Sequence, residues 1–208
     1  MSLHDKRIFF ISLLLILLLN SCQRQAPPQL SPLEADAIVL AFGDSLTFGT
    51  GAGQPQHSYP SVLEKLIQRK VINAGIPGER SDQGLKRLPG ILAHYQPQLL
   101  ILCHGGNDFL QRKPITQAAD NIRQMVALAQ EQAIDVVLIG VPRPGLFLSA
   151  ADFYAEIAQQ FKIPYAGDIL SDILEDSDLK SDTVHPNAQG YRQLAQRIAQ
   201  LLKQAQAI

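Results

Sequence analysis

Tryptophan is absent from the 208-residue chain, and aromatic residues make up only 6% of it. A face of stacked rings for sugars is a poor expectation on that composition, so polysaccharide binding starts low. Charge of one sign is equally scarce. The 18 Lys and Arg are matched by 19 Asp and Glu with no run of either sign, which argues against a nucleic-acid partner. Cysteine occurs twice, at Cys22 and Cys103, too few for a disulfide framework. Cys103 ends the apolar run Leu99 to Cys103 and reads as a small buried hydrophobe. A bond from Cys22 would tie a tether to a core strand, a geometry disulfides do not favour. Internal repeats and low-complexity tracts are also missing.

What is present begins at the N-terminus. Lys6 and Arg7 precede an apolar run from Ile8 to Leu19, broken only by Ser12 and followed by Asn20, Ser21 and Cys22. Twelve helical residues span about 18 Å of a hydrocarbon core about 30 Å thick, so a cleaved signal fits better than a permanent span. The segment Leu18-Leu19-Asn20-Ser21-Cys22 resembles a bacterial lipoprotein signal, which implies that Cys22 is lipidated and becomes the first mature residue. Residues 23–36 hold three prolines and no periodic pattern, as a tether does. The expected division is a signal peptide at 1–21, a lipidated cysteine and flexible tether at 22–36, and one domain at 37–208. Hydrophobic residues at 46% of the chain suffice for a single well-buried core.

From Ala37 onward, short apolar runs alternate with helical periods. Strands are expected at Ile38–Phe42, Val71–Ala74, Leu99–Cys103, Val136–Val141 and near Ile163–Ala166. Helices are expected at Pro60–Arg69, Ser81–His94, Ile115–Gln132, Ala150–Phe161 and Asn187–Lys203. Strands apolar on both faces and separated by helices predict an α/β fold with a parallel sheet of about five strands. In such sheets ligands bind beyond the carboxyl ends of the strands. Chemistry is therefore expected in GDS (43–45), NAGIPG (73–78), GGND (105–108) and, before the last helix, DTVHP (182–186).

A serine hydroxyl needs a base to become nucleophilic, and the base needs an orienting group. Ser45 supplies the hydroxyl, His185 the base and Asp182, three residues earlier, the orienter. Their chain order is that of α/β-hydrolases, although Ser45 sits in G-D-S-L and not in G-x-S-x-G. The N–H of Ser45, the N–H of Gly78 and the side-chain amide of Asn107 have the right chemistry to hold an oxyanion. Taken singly, Asp44-Ser45 could be a helix cap, His185 a loop residue, Asn107 a turn-closer and Gly78 a helix-entry glycine. Asp44 and Asp108 read as loop organisers and Asn73 as structural, and His57 and His94 are given no role.

The four segments GDSLTFG, NAGIPGERS, GGND and DTVHP, in this order, closely resemble the SGNH, or GDSL, hydrolase superfamily. Within it, NAGIPGERSDQGLKRLP and the GGND loop resemble the thioesterase I/lysophospholipase and arylesterase branch. The resemblance implies a flavodoxin-like three-layer α/β/α sandwich and hydrolysis of esters or thioesters with no metal and no organic cofactor. His104, just before GGND, departs from the family pattern; it reads as a hydrogen-bonded structural histidine, with a second base as the alternative.

Leu146, Phe147 and Leu148 follow the fourth strand and could wall an acyl groove, or merely pack on a helix. The expected activity is cleavage of short to medium acyl esters or thioesters, lysophospholipids included. The alternatives are a carbohydrate O-deacetylase and a non-catalytic acyl-binding lipoprotein. The chain is expected to be monomeric, tied to a membrane only through Cys22, and held in a bacterial cell envelope facing the periplasm or exterior. Outer-membrane sorting is expected if the cell is Gram-negative.

Overall fold

The structure, a computed structural model, describes residues 26–145 and 148–208. Five strands form one wholly parallel sheet: β1 (Ile38–Gly43), β2 (Lys70–Gly75), β3 (Leu99–Cys103), β4 (Asp135–Ile139) and β5 (Tyr165–Ala166), in the order β2-β1-β3-β4-β5. Register is set by pairs such as Ile38 with Lys70, Val39 with Leu99 and Leu99 with Asp135. β3 is buried at every residue, which is why its sequence shows an apolar run and no alternation.

The long helices are α2 (Tyr59–Ile67), α3 (Ser81–Tyr95), α5 (Ile115–Gln130), α6 (Asp152–Phe161) and α8 (Ala188–Gln204). Shorter ones are α1 (Ser45–Phe48), α4 (Gly106–Leu110) and α7 (Ile169–Glu175). α2 and α7 pack on α8, while α3 packs along α5 and α5 meets α6. The expected three-layer α/β/α sandwich is the fold found. Its chain order reverses between β1 and β3, the crevice where open α/β sheets place ligands.

Two boundaries differ from expectation. β4 stops at Ile139: Gly140 N–H still donates to the Ala166 carbonyl at 2.9 Å, but Pro142, which has no N–H to donate, then pairs antiparallel with Ala150. The tether assigned to 22–36 is packed over its second half. Leu30 and Leu33 join the core, and their N–H groups donate to the carbonyls of Ala205 and Ala207 at 2.9 Å. Ser31 N–H donates to Asp135 Oδ2 at 2.7 Å. The folded body thus begins near Leu30, seven residues before Ala37, and Cys22 lies outside the described residues. Among the described residues no helix is long and apolar enough to cross a membrane.

Candidate active site

β1 ends at Gly43, where any side chain is excluded: a Cβ there would sit 2.0 Å from the Cys103 carbonyl oxygen. The chain must turn, and Asp44 caps the single turn of α1 by accepting the Leu46 N–H at 3.0 Å. Ser45 is the first residue of that turn. Asp44 itself is buried, which raises its pKa despite nearby His104 and the Leu46 N–H that favour the charge.

The opposing wall is the loop before α8. Asp182 Oδ1 accepts the N–H groups of Val184 (2.8 Å) and His185 (2.9 Å), and Oδ2 meets His185 Nδ1 at 2.8 Å. A carboxylate only accepts, so Nδ1 carries the proton and Nε2 is left as acceptor in the neutral ring. Ser45 Oγ donates to that Nε2 at 3.0 Å. Partial burial opposes ionisation of Asp182, but the Val184 N–H and the His185 ring outweigh it and hold the carboxyl below its ordinary value. The two walls are fixed together. Gly51 lies so close to the histidine loop that a Cβ would meet Ser181 Oγ at 2.1 Å, and Tyr191 of α8 donates to the Thr50 carbonyl at 2.8 Å.

Asn107, in α4, lines the same cavity as Ser45 and His185. Its Nδ2 donates to the Glu79 carbonyl (3.1 Å) and to Asp44 Oδ2 (3.3 Å). Gly78 occupies the turn after β2 with φ +80°, one residue before that carbonyl, and does not itself line the cavity. Among the described residues the N–H groups of Ser45 and Gly78 have no acceptor. The cavity, about 330 Å³, is walled by Leu46, Leu110, Val141, Pro142, Leu148 and Leu174. Leu148 thus falls where expected, while Leu146 and Phe147 lie outside the described residues. Leu46, Leu110, Val141, Pro142 and Leu174 were not singled out by the sequence; Leu46 within GDSL, Leu110 two residues after GGND, and Val141 and Pro142 at the end of the fourth strand carry a readable signal, and Leu174 carries none.

His104 is buried beneath the site and does not line the cavity. Gly105 N–H donates to its Nδ1 at 3.0 Å, so the proton is on Nε2, which donates to Glu79 Oε2 at 3.1 Å. It is the hydrogen-bonded structural histidine. Asp108 accepts the Ser81 N–H and hydroxyl and so organises its loop as expected, and Asn73 bridges Phe48 and Gly75, a structural role as expected. Among the described residues no group of three or more His, Cys, Asp and Glu is placed to hold a metal ion.

Residues 41–193 match the profile of the GDSL-like Lipase/Acylhydrolase family. The chain belongs to this family. It is 27% identical to Thioesterase 1/protease 1/lysophospholipase L1 of Escherichia coli K12 over 177 residues, covering 81% of this chain and 84% of that one. Identity to the Arylesterase of Vibrio mimicus is 28% over 181 residues, covering 81% and 90%. The crystal structure of TesA superposes with a TM-score of 0.71 at 24% identity over 81% of this chain and 99% of that chain, a likeness of fold. This GDSL acylhydrolase is a serine hydrolase acting on esters.

Proposed function

We propose that the hydrolase cleaves short to medium acyl esters or thioesters, lysophospholipids among them, through an acyl-enzyme on Ser45. The observation that carries this is the hydrogen-bonded line from Ser45 Oγ through His185 to Asp182, at 3.0 and 2.8 Å, on the edge of an apolar cavity. His185 Nε2 takes the hydroxyl proton as Ser45 Oγ bonds to the acyl carbon. The carbonyl oxygen gains the electron pair and is held by the Ser45 and Gly78 N–H groups and Asn107. Because both Asn107 amide protons are engaged at rest, the longer bond, to Asp44, yields to the oxyanion. Collapse of the adduct breaks the bond to the leaving oxygen or sulfur, which takes the proton from His185; water then repeats the sequence and frees the acid.

The names of the relatives support esters and thioesters as the substrate class, and the cavity of about 330 Å³ suits an acyl chain. The test is turnover of p-nitrophenyl esters from acetate to palmitate and of one acyl-CoA, with Ser45→Ala alongside. Ser45-dependent turnover peaking at one chain length is expected. A folded wild type inert on all of them, and unlabelled by a fluorophosphonate, overturns the reading.

The reading also places the enzyme in a bacterial envelope as a monomer anchored through lipidated Cys22, on the strength of the apolar run Ile8–Leu19 and the cysteine that follows it. Palmitate incorporation lost in Cys22→Ala, and a monomeric mass of the soluble domain by ultracentrifugation, are the expected results. Absence of label in the wild type overturns the anchor.

A further inference from the structure

A second groove, about 590 Å³, opens beside the catalytic cavity and shares Leu110 and Pro144 with it. Its charge is of one sign. Arg112, Lys113 and Arg143 line it, and no Asp or Glu does. In a chain of net charge −1 this is a local concentration, and among the described residues none of the three pairs with a carboxylate. By contrast Arg80, Arg87, Arg123 and Arg197 each have one. The backbones that present the cations are fixed. Arg112 N–H donates to the Phe109 carbonyl at 3.0 Å, Lys113 N–H to the Asp108 carbonyl at 2.8 Å, and Arg143 N–H to the Ser149 carbonyl at 3.0 Å. The apolar part of the groove is Phe109, Leu110, Ile115 and Pro144, of which Leu110 and Pro144 also wall the catalytic cavity.

We propose that this groove is an anion subsite for the leaving part of the substrate, so that the enzyme selects acyl esters or thioesters whose alcohol or thiol carries a phosphate. The inference rests on the reading of Ser45 as the hydrolytic nucleophile. With the acyl chain among Val141, Leu148 and Leu174, the leaving group passes the shared rim at Leu110 and Pro144 and its phosphate meets the three cations. Exposed ion pairs contribute little singly and are screened by salt, so the selectivity comes from the three acting together and falls as ionic strength rises. The phosphate can belong to a lysophospholipid headgroup or to a nucleotide thioester.

The test compares kcat/KM for three octanoyl substrates: the neutral p-nitrophenyl ester, octanoyl-CoA and an octanoyl lysophosphatidylglycerol. Arg112→Glu/Lys113→Glu/Arg143→Glu is expected to lower the ratio of anionic to neutral kcat/KM by about tenfold or more, from the sum of three weak pairs. The Gln triple variant, which adds no repulsion, is expected to lower it less. Lys203→Glu, at the far end of α8, is expected to keep the wild-type ratio. The wild-type ratio should fall with added salt, and that dependence should vanish in the triple variant. The anionic substrate that loses more identifies the phosphate source. Unchanged ratios in folded variants that retain Ser45-dependent turnover overturn the subsite and leave the hydrolase standing. No turnover of any substrate by wild type overturns both.

Discussion

His104 donates Nε2–H to the Glu79 carboxylate at 3.1 Å, and the carbonyl of the same Glu79 holds the Asn107 amide at 3.1 Å. Arg87 grips Glu79 from the other side, with Nε to Oε1 at 2.9 Å and a second contact to Oε2 at 2.6 Å. Room for the imidazole exists because position 84 of α3 is glycine, where a Cβ would lie 2.4 Å from His104 Nε2. A partly buried chain of contacts therefore runs from Arg87 through Glu79 to the Asn107 amide.

If His104 acts through Asn107, then His104→Leu should lower kcat about tenfold with KM little changed, as expected when an interaction is made only in the transition state. Asn107→Ala alone should cost about 10² to 10³ in kcat. The double variant should cost less than the product of the two. Simple multiplicativity of the two effects in a double-mutant cycle would assign His104 to stability alone.

The two buried carboxyls predict opposite pH effects on stability. Burial pushes Glu79 up, but the bonds from His104 and Arg87 prevail and its folded value is lowered. Its contribution is therefore present above the unfolded glutamate value and lost as pH falls through the lower folded value. Asp44 is raised, so its ionised form costs stability at neutral pH, and that cost is relieved as pH falls through the raised value. Urea midpoints against pH should show Glu79→Gln less acid-sensitive than wild type, and Asp44→Asn more so.

Gly43→Ala forces a methyl to within 2.0 Å of a backbone carbonyl in the neighbouring strand, where no rotamer change gives relief. Overpacking of this kind costs about 3 kcal/mol. Denaturant unfolding should show the loss, and residual activity should fall further because the same displacement moves Ser45.

A soluble protein starting at Ala37 lacks Leu30 and Leu33. Burying two leucines contributes at most about 6 kcal/mol. The protein starting at Ala26 should have the higher urea midpoint, and equal midpoints would show that the packed segment adds nothing.

The long helices are legible because each spans several turns of its apolar period, and β3 because it is an unbroken apolar run; the bounds of β3 and the start of α3 match the sequence expectation to the residue. α1, α4 and α7 are too short to show a period and were not read. Leu30 and Leu33 lie among prolines and look like linker; their partners, the carbonyls at 205 and 207, are set by tertiary packing that no local pattern encodes. The line from Ser45 to His185 was legible across 140 residues because its chemistry needs particular side chains. The bond between His104 and Glu79 was not, since either residue could have found other partners.

The pairing of Leu30 with Ala205 has a geometric corollary. α8 starts beside His185 and runs for 17 residues, about 25 Å, to the edge where β4 begins and Ser31 meets Asp135. The chain thus enters at the foot of the molecule, and the opening at Ser45 is at its head. Gripped on a solid support through the residues before Leu30, the enzyme would stand with its mouth toward the bulk liquid, so dissolved molecules would reach it without passing between protein and support.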